Sequence, residues 1–162
     1  MRRKHPQLNQ AKQASQNGAG TTPAFTIVPL LLLFVAGLFL RGYKVSRDPL
    51  WFDELYGYQL AQLGPVAIVR NTRFVPHPPL FYLIQWAAAG FGQSQTEWGW
   101  RWLSVTSGAA TVPLVFLVIR RLTNFWPALL SSILFVLAPA HLYFSQESRP
   151  YALITLISVT SA

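Results

Sequence analysis

The chain alternates between long apolar runs and polar stretches. Residues 1–23 are polar and basic and have no hydrophobic period, which predicts a disordered tail. Residues 24–40 carry no charge, and these 17 residues would cover roughly 25 Å as a helix. The run is long for the core of a signal peptide, and no clear A-x-A site follows it. We therefore expect an uncleaved signal anchor as the first span, with the basic tail in the cytoplasm.

Three further apolar runs lie in the second half of the chain. Residues 100–119 and 125–144 are each long enough to cross a bilayer, and Arg120-Arg121 lies between them. Residues 151–162 begin a last apolar helix without a helix stop or a polar tail, so we expect a fragment of a longer protein. The pattern predicts an all-α polytopic membrane protein.

Two shorter helical patterns lie between the first and second spans. Residues 53–64 predict a short amphipathic helix that ends at Gly64. Residues 79–92 begin after a Pro pair, which fits the first turn of a helix. These 14 residues would reach only about 21 Å, which suits an interfacial or re-entrant helix better than a span.

Two topologies compete for these elements. If residues 79–92 span the bilayer, Arg120-Arg121 falls on the opposite side from the N-terminal tail. If they lie in the interface, both basic clusters are cytoplasmic, and the positive-inside rule and the short length favour this arrangement. It places every carboxylate of the chain on the extracytoplasmic face: Asp48, Asp53, Glu54, Glu97 and Glu147.

Composition agrees with a membrane protein and excludes several classes. Hydrophobic residues make up 52% of the chain and charged residues 11%, against about 25% charged in an average soluble domain. The net charge of +8 does not indicate nucleic-acid binding, because the basic residues form no stripe with stacking aromatics. In this topology the outer side also holds Arg41, Lys44 and Arg47, which opposes the positive-inside rule. Binding phosphate is another role for these basic residues. The absence of Cys excludes disulfides and thiol nucleophiles.

The first candidate for chemistry is the Asp53-Glu54 pair, which follows the first span closely. A carboxylate at this boundary can accept a proton from a hydroxyl nucleophile if partial burial raises its pKa. The alternative is that the two acids cap the helix that begins here, as acids do in a first turn. The two interpretations are compatible.

Two more clusters combine charge with a helix start. His77 precedes a helix whose free N–H groups favour an anion, so it could bind phosphate, hold a metal or shuttle a proton. The alternative is an interfacial histidine solvated by water. Arg149 precedes a Pro that begins the last helix, so guanidinium and helix N-terminus could face one anion. Glu147 could orient Arg149 or bind a metal, or form a plain surface salt bridge. His141 lies within a span, and we expect it to be packed or interfacial without a role.

The three clusters, in this order, resemble the lipid-linked sugar transferases of the GT-C fold. Within this fold, the chain resembles the bacterial relatives of the dolichyl-phosphate-mannose–protein mannosyltransferases. The lipid A aminoarabinose transferases are a related group. The matching stretches are WFDELYGYQLAQLG, HPPLFYLIQWAAAGFG, RWLSVTSGAATVPLVFLVIRRLT and LFVLAPAHLYFSQESRPYAL. The resemblance runs from about Asp48 to the end and implies a first span, a large outer loop with two juxtamembrane helices, and further spans.

The resemblance also implies site residues. It places the base on Asp53, with Glu54 as the second member of the family's Asp-Glu pair. His77 stands where many relatives carry Lys or His near the donor phosphate, and Arg149 and Tyr151 match an Arg-x-Tyr element taken to contact that phosphate. Some relatives carry an Asp after this element, whereas this chain has Glu147 before it, so a metal role for Glu147 departs from the pattern.

The sequence therefore predicts a plasma-membrane glycosyltransferase that faces the extracytoplasmic side. A polyprenyl-phosphate sugar would be the donor, and a protein, lipid or glycan hydroxyl the acceptor, in an inverting displacement assisted by Arg149, His77 and a divalent cation. The present chain alone would be inactive. Two other classes stay open: a non-catalytic membrane subunit, and a transporter of a lipid-linked substrate. Transporter spans usually carry ionisable residues at mid-membrane, and the predicted span cores here have none.

Overall fold

The structure is a computed structural model that describes residues 23–72 and 79–162. The predicted disordered tail, apart from Pro23, lies outside the described residues, and so does His77. Within the described residues the chain forms eight α-helices and no strand, which confirms the all-helical prediction. The helices are α1 Pro23–Gly42, α2 Phe52–Gln62, α3 Pro65–Asn71, α4 Pro79–Ala88, α5 Glu97–Leu122, α6 Phe125–Val136, α7 Pro139–Ser145 and α8 Tyr151–Thr160.

Helix α5 is the centre of the bundle and packs against α1, α6 and α8. It begins at Thr96, whose hydroxyl accepts the Gly99 amide at 3.1 Å as an N-cap. Its buried face contains small residues, which let neighbouring helices approach closely in a membrane. They include Ser104, Ser107, Gly108, Ala109 and Thr111. By length and composition α5 is the one single helix of the described residues that could cross a bilayer.

The segment predicted as one span over residues 125–144 is broken into α6 and α7, which are bent by 57°. The break falls at Leu137 and Ala138, directly before Pro139. Pro139 has no N–H to continue the helix, and it disfavours helical geometry in the residue before it. Ala138 is accordingly extended, with φ −60° and ψ 115°. The bent pair is long and apolar enough to count as a second candidate span if it is taken as one element.

Helices α1 and α8 are shorter apolar helices that flank α5. Their outer faces expose large apolar side chains such as Leu32, Phe39 and Ile157. Such a surface suits lipid rather than water. The inner faces of α1, α5 and α6 form a core of Leu33, Val112, Phe116, Ala128 and Val136.

The short helices of the loop pack against one another, and α2 and α4 also contact the first turns of α5. Helix α2 matches the amphipathic helix predicted over residues 53–64, while α3 was not predicted. Helix α4 ends at Ala88, earlier than the predicted residue 92, because the backbone turns with positive φ from Gly90 to Gly92. A Cβ on Gly92 would lie 3.0 Å from the Ala61 carbonyl, so the close approach of α2 requires glycine there.

Candidate functional site

Glu54 is the buried member of the acidic pair, with 2% of its surface exposed. It lies in the first turn of α2, and its Oε2 accepts the backbone N–H of Trp51 at 3.0 Å. This is the side-chain half of a capping box, in which an acid at the third helical position satisfies the N-cap amide. The capping interpretation is therefore confirmed for Glu54.

Arg101 of α5 forms a bidentate ion pair with Glu54. Its Nε donates to Oε1 at 3.0 Å and its Nη2 donates to Oε2 at 2.6 Å. The remaining N–H groups donate to the carbonyl oxygens of the loop after α1, those of Val45, Asp48 and Pro49. All five N–H donors of this guanidinium are thus used, and the side chain is buried. The pair fixes both the loop and the start of α2 to α5.

Arg101 had no role among the residues predicted from the sequence. One signal was present, because a cation near the N-terminal end of a helix meets the positive end of the helix dipole and favours an acidic partner. The sequence does not say which of the five acids supplies that partner.

A third region of the chain also binds Glu54, because the Ser148 amide donates to Oε1 at 2.5 Å. Burial alone would raise the pKa of Glu54, but the hydrogen bonds from Arg101, Ser148 and Trp51 outweigh it and lower the pKa below its ordinary value. Glu54 is therefore a carboxylate that joins α2, α5 and the segment before α8.

Asp53, one residue earlier, faces outward with 60% of its side chain exposed. Its Oδ2 pairs with Nη2 of Arg149. Glu147 approaches the same guanidinium, with its Oε2 3.6 Å from Nε. Burial alone would lower the pKa of Arg149, but Asp53, the Tyr151 hydroxyl and Glu147 outweigh it and raise the pKa. A permanent cation thus lies beside an exposed carboxylate.

Two tyrosines lie near the Asp53–Arg149 pair. Tyr151 hydrogen-bonds Arg149, and its ring lies 4.7 Å from the Phe144 ring between centroids. The Tyr82 ring of α4 stands edge-on to Tyr56 of α2 at 6.4 Å between centroids. Burial is the largest cause that raises the pKa of Tyr82 and Tyr56 is the next, while the charge of Arg149 lowers this pKa and that of Asp53 raises it. The charged pair therefore has aromatic neighbours from both α4 and α8.

The structure brings together five of the predicted candidate residues: Asp53, Glu54, Glu147, Arg149 and Tyr151. His77 lies outside the described residues. Within the described ranges no group of three or more His, Cys, Asp or Glu could hold a metal ion. Glu147 points to Arg149 instead. A metal role for Glu147 or His77 stays a prediction.

Arg41 differs from its prediction. The sequence placed it outside the first span as a candidate for gripping phosphate, but it lies within the last turn of α1 and is 0% exposed. Its Nη2 lies 2.7 Å from Nδ1 of His141. No phosphate could reach it in this arrangement, so that role is wrong for Arg41. The packed environment expected for His141 is confirmed, since its ring contacts Phe135 at 4.4 Å between centroids.

The geometry defines a helical membrane protein whose acidic pair and arginines meet at one end of the bundle. The sequence profile of the family described as Dolichyl-phosphate-mannose-protein mannosyltransferase matches residues 40–154, more than half of the chain. The chain belongs to this family of integral membrane glycosyltransferases, which use a lipid-linked sugar donor. No curated protein and no solved structure matches the chain. The matched region includes every predicted site residue.

Proposed function

We propose that this protein transfers a sugar from a polyprenyl-phosphate donor to an acceptor hydroxyl by inverting displacement. The observation that carries the proposal is the exposed Asp53 held against Arg149, on a frame fixed by Glu54. A base and an anion-binding cation are the two groups that this reaction needs side by side.

The donor phosphate displaces Asp53 from the guanidinium of Arg149. The phosphate competes with Asp53 for the guanidinium, because Arg binds phosphate oxygens in the same forked geometry as a carboxylate. Asp53 is then free to accept a proton. His77 and Tyr151 assist at the phosphate, as their match to the family suggests.

In the chemical step Asp53 takes the proton of the acceptor hydroxyl. The hydroxyl oxygen forms a bond to the anomeric carbon while the bond from that carbon to the phosphate oxygen breaks. Polyprenyl phosphate leaves with the additional negative charge, which Arg149 stabilises. The attack comes from the face opposite the leaving group, so the configuration at the anomeric carbon inverts. A divalent cation near the phosphate would add to the same stabilisation.

We place the site on the extracytoplasmic face of the plasma membrane. Helix α5 supports this orientation, since Glu97 begins it at the site end and Arg120-Arg121 ends it at the other. The chain has no cysteine, so single cysteines in place of Glu97 or Arg121 can be labelled with a membrane-impermeant thiol reagent in intact cells. Labelling at residue 97 and protection at residue 121 are expected. The reverse pattern would refute the orientation.

The function is tested with the full-length protein in membranes and a radiolabelled polyprenyl-phosphate sugar. We expect release of free polyprenyl phosphate together with a labelled acceptor, with the opposite anomeric configuration to the donor. Chelation of divalent cations followed by their return tests the metal. Release no faster than in membranes without the protein would reject the transferase and favour a non-catalytic subunit or transporter.

A further inference from the structure

Arg41 and His141 form a contact inside the bundle that the proposed chemistry does not use. Arg41 is 0% exposed, and its Nη1 donates to the Gly37 carbonyl at 3.3 Å while its Nη2 reaches Nδ1 of His141 at 2.7 Å. A guanidinium can only donate, so Nδ1 must accept. The imidazole is therefore neutral, with its proton on Nε2.

No carboxylate neutralises this buried cation. All five acids of the sequence lie within the described residues. Of these, Glu54 pairs with Arg101, and Asp53 and Glu147 pair with Arg149. Within the described part of the chain, Arg41 is the charged group that acts on His141, and the other neighbours are the Phe135 ring and the Ser145 hydroxyl. His141 is thus the side-chain partner on which the buried Arg41 depends.

The fold makes room for this contact at Gly108 of α5. A Cβ on Gly108 would lie 2.7 Å from the Cβ of Ser145 and 3.0 Å from Nε of Arg41. Any side chain there would push the end of α7 away from α5 and would crowd the guanidinium of Arg41. Three helices therefore meet at this point, with α1 and α7 joined by a hydrogen bond rather than an ion pair.

The Arg41–His141 contact is connected to the candidate site through the end of α7 and the residues that follow it. Helix α7 ends at Ser145, and the next residue, Gln146, donates to the carbonyls of Leu40 at 3.3 Å and Tyr43 at 3.2 Å. The segment 145–149 then supplies the Ser148 amide to Glu54 and Arg149 to Asp53. The end of α1 thus holds both the helix before the segment and its first residue.

We infer that Arg41 and His141 are positioning residues, which hold the segment 145–149 so that Arg149 meets the donor phosphate beside Asp53. The inference rests on the proposed function for its kinetic consequence. Its structural consequence, the order of the segment 145–149, is independent of catalysis. The two can therefore be tested separately.

The main test compares two replacements of His141 in the full-length protein. His141→Phe keeps a ring of similar size but removes the acceptor, whereas His141→Asn keeps an acceptor near the position of Nδ1. We expect His141→Phe to raise the donor KM by roughly tenfold, as the loss of a hydrogen bond to a charged group implies, and His141→Asn to restore most of the affinity. The matched control is Ser132→Ala, because buried Ser132 bonds only the Ala128 carbonyl of its own helix, at 2.8 Å. It should keep the wild-type KM.

Amide hydrogen exchange in detergent micelles supplies the second measurement. We expect faster exchange across residues 145–149 in His141→Phe, but not in His141→Asn or Ser132→Ala. Unchanged exchange in His141→Phe would overturn the inference, and so would failure of His141→Asn to restore protection. If the wild-type protein transfers no sugar, the proposed function fails and the exchange result still decides the inference. If His141→Phe does not fold, Arg41→Lys carries the same test, since it keeps the charge but loses the forked reach to Gly37 and His141.

Discussion

Asp53 and Glu54 are neighbours in the sequence and have opposite surroundings in the fold. Successive residues of a helix point about 100° apart, so the first turn of α2 directs Glu54 into the bundle and Asp53 out of it. Glu54 accepts four hydrogen bonds, from Arg101, Trp51 and Ser148. Asp53 is 60% exposed at its side chain and meets one partner, Arg149. One acid builds the frame, and the other is left available for chemistry.

The two arginines that bind these acids also differ in burial and in how many of their donors are used. Arg101 is buried and uses all of its donors within the protein. Arg149 keeps 25% of its side chain exposed, and its Nε makes no hydrogen bond within the described structure. A ligand can therefore compete for Arg149 but not for Arg101. The paired motif thus contains one buried ion pair and one that a ligand can reach, and four changes test that difference.

The largest effect is expected at Asp53. Asp53→Asn removes the base and should lower turnover by about 10²–10⁴-fold, measured as kcat with a polyprenyl-phosphate sugar. Stability should change little, because the side chain is mostly exposed. Asp48→Asn is the control, since Asp48 lies in the loop directly before α2 and its side chain forms no ion pair within the described residues, although its charge acts on Arg101. Near-normal turnover in Asp53→Asn would remove this residue as the base.

Breaking the buried Glu54–Arg101 pair should lower the free energy of unfolding. Glu54→Leu or Arg101→Met alone leaves one charge buried without its partner, which costs about 3–5 kcal/mol of unfolding free energy. The double variant should recover part of this loss, because neither charge remains. Denaturant unfolding in micelles measures the cycle, with Arg121→Gln as a control at the exposed far end of α5. Single variants as stable as the wild type would contradict the structural role of the pair.

A smaller effect is expected at Arg149. Arg149→Lys keeps the charge but not the forked donors, so the donor KM should rise roughly tenfold while stability is unchanged. Arg120→Lys is the matched control, since Arg120 bonds only the Thr123 carbonyl at 3.1 Å at the other end of α5. If both variants kept the wild-type KM, Arg149 would not be the phosphate-binding residue.

The smallest expected effect is a loss of folding stability at acidic pH. The folded pKa of Glu54 is lowered, so the unfolded state binds more protons and stability falls as pH falls through the ordinary carboxyl range near 4.3. Between pH 5 and 4 Glu54 should contribute a loss of at most about 0.5 kcal/mol. Thermal unfolding of the wild type and of Glu54→Gln measures it. An equal acid loss in both proteins would show that Glu54 is not the group responsible.

The long elements could be predicted from the sequence because their apolar runs come close to the thickness of a bilayer or follow a helical period. Helices α1, α2, α4 and α5 were expected close to where they lie. Helix α3 was missed because its seven residues are too few for a period to be detected. The break between α6 and α7 was missed although Pro139 marks it, because the apolar run continues on both sides.

Part of the candidate site could also be predicted from local sequence patterns. Asp53 and Arg149 were nominated from their places beside helix starts, and the fold brings them together. Arg101 was given no role, and Arg41 was given a phosphate-binding role that its burial contradicts. Each of the two depends on a partner far away in the chain, Glu54 for Arg101 and His141 for Arg41. Local patterns show that a charge needs a partner, but the tertiary packing chooses it.

The hydrogen bond from Ser148 to Glu54 has a consequence for how the protein is made. It joins residues 94 positions apart, and the Arg101 pair joins residues 47 apart. At a synthesis rate of about 5–20 residues per second, Glu54 leaves the ribosome roughly 2–9 seconds before Arg101 and 5–19 seconds before Ser148. Until Arg101 emerges, the nascent Glu54 is without both partners, and until Ser148 emerges it is without the second. The hydrogen bonds around Glu54 are therefore complete only after α1 to α7 have been synthesised.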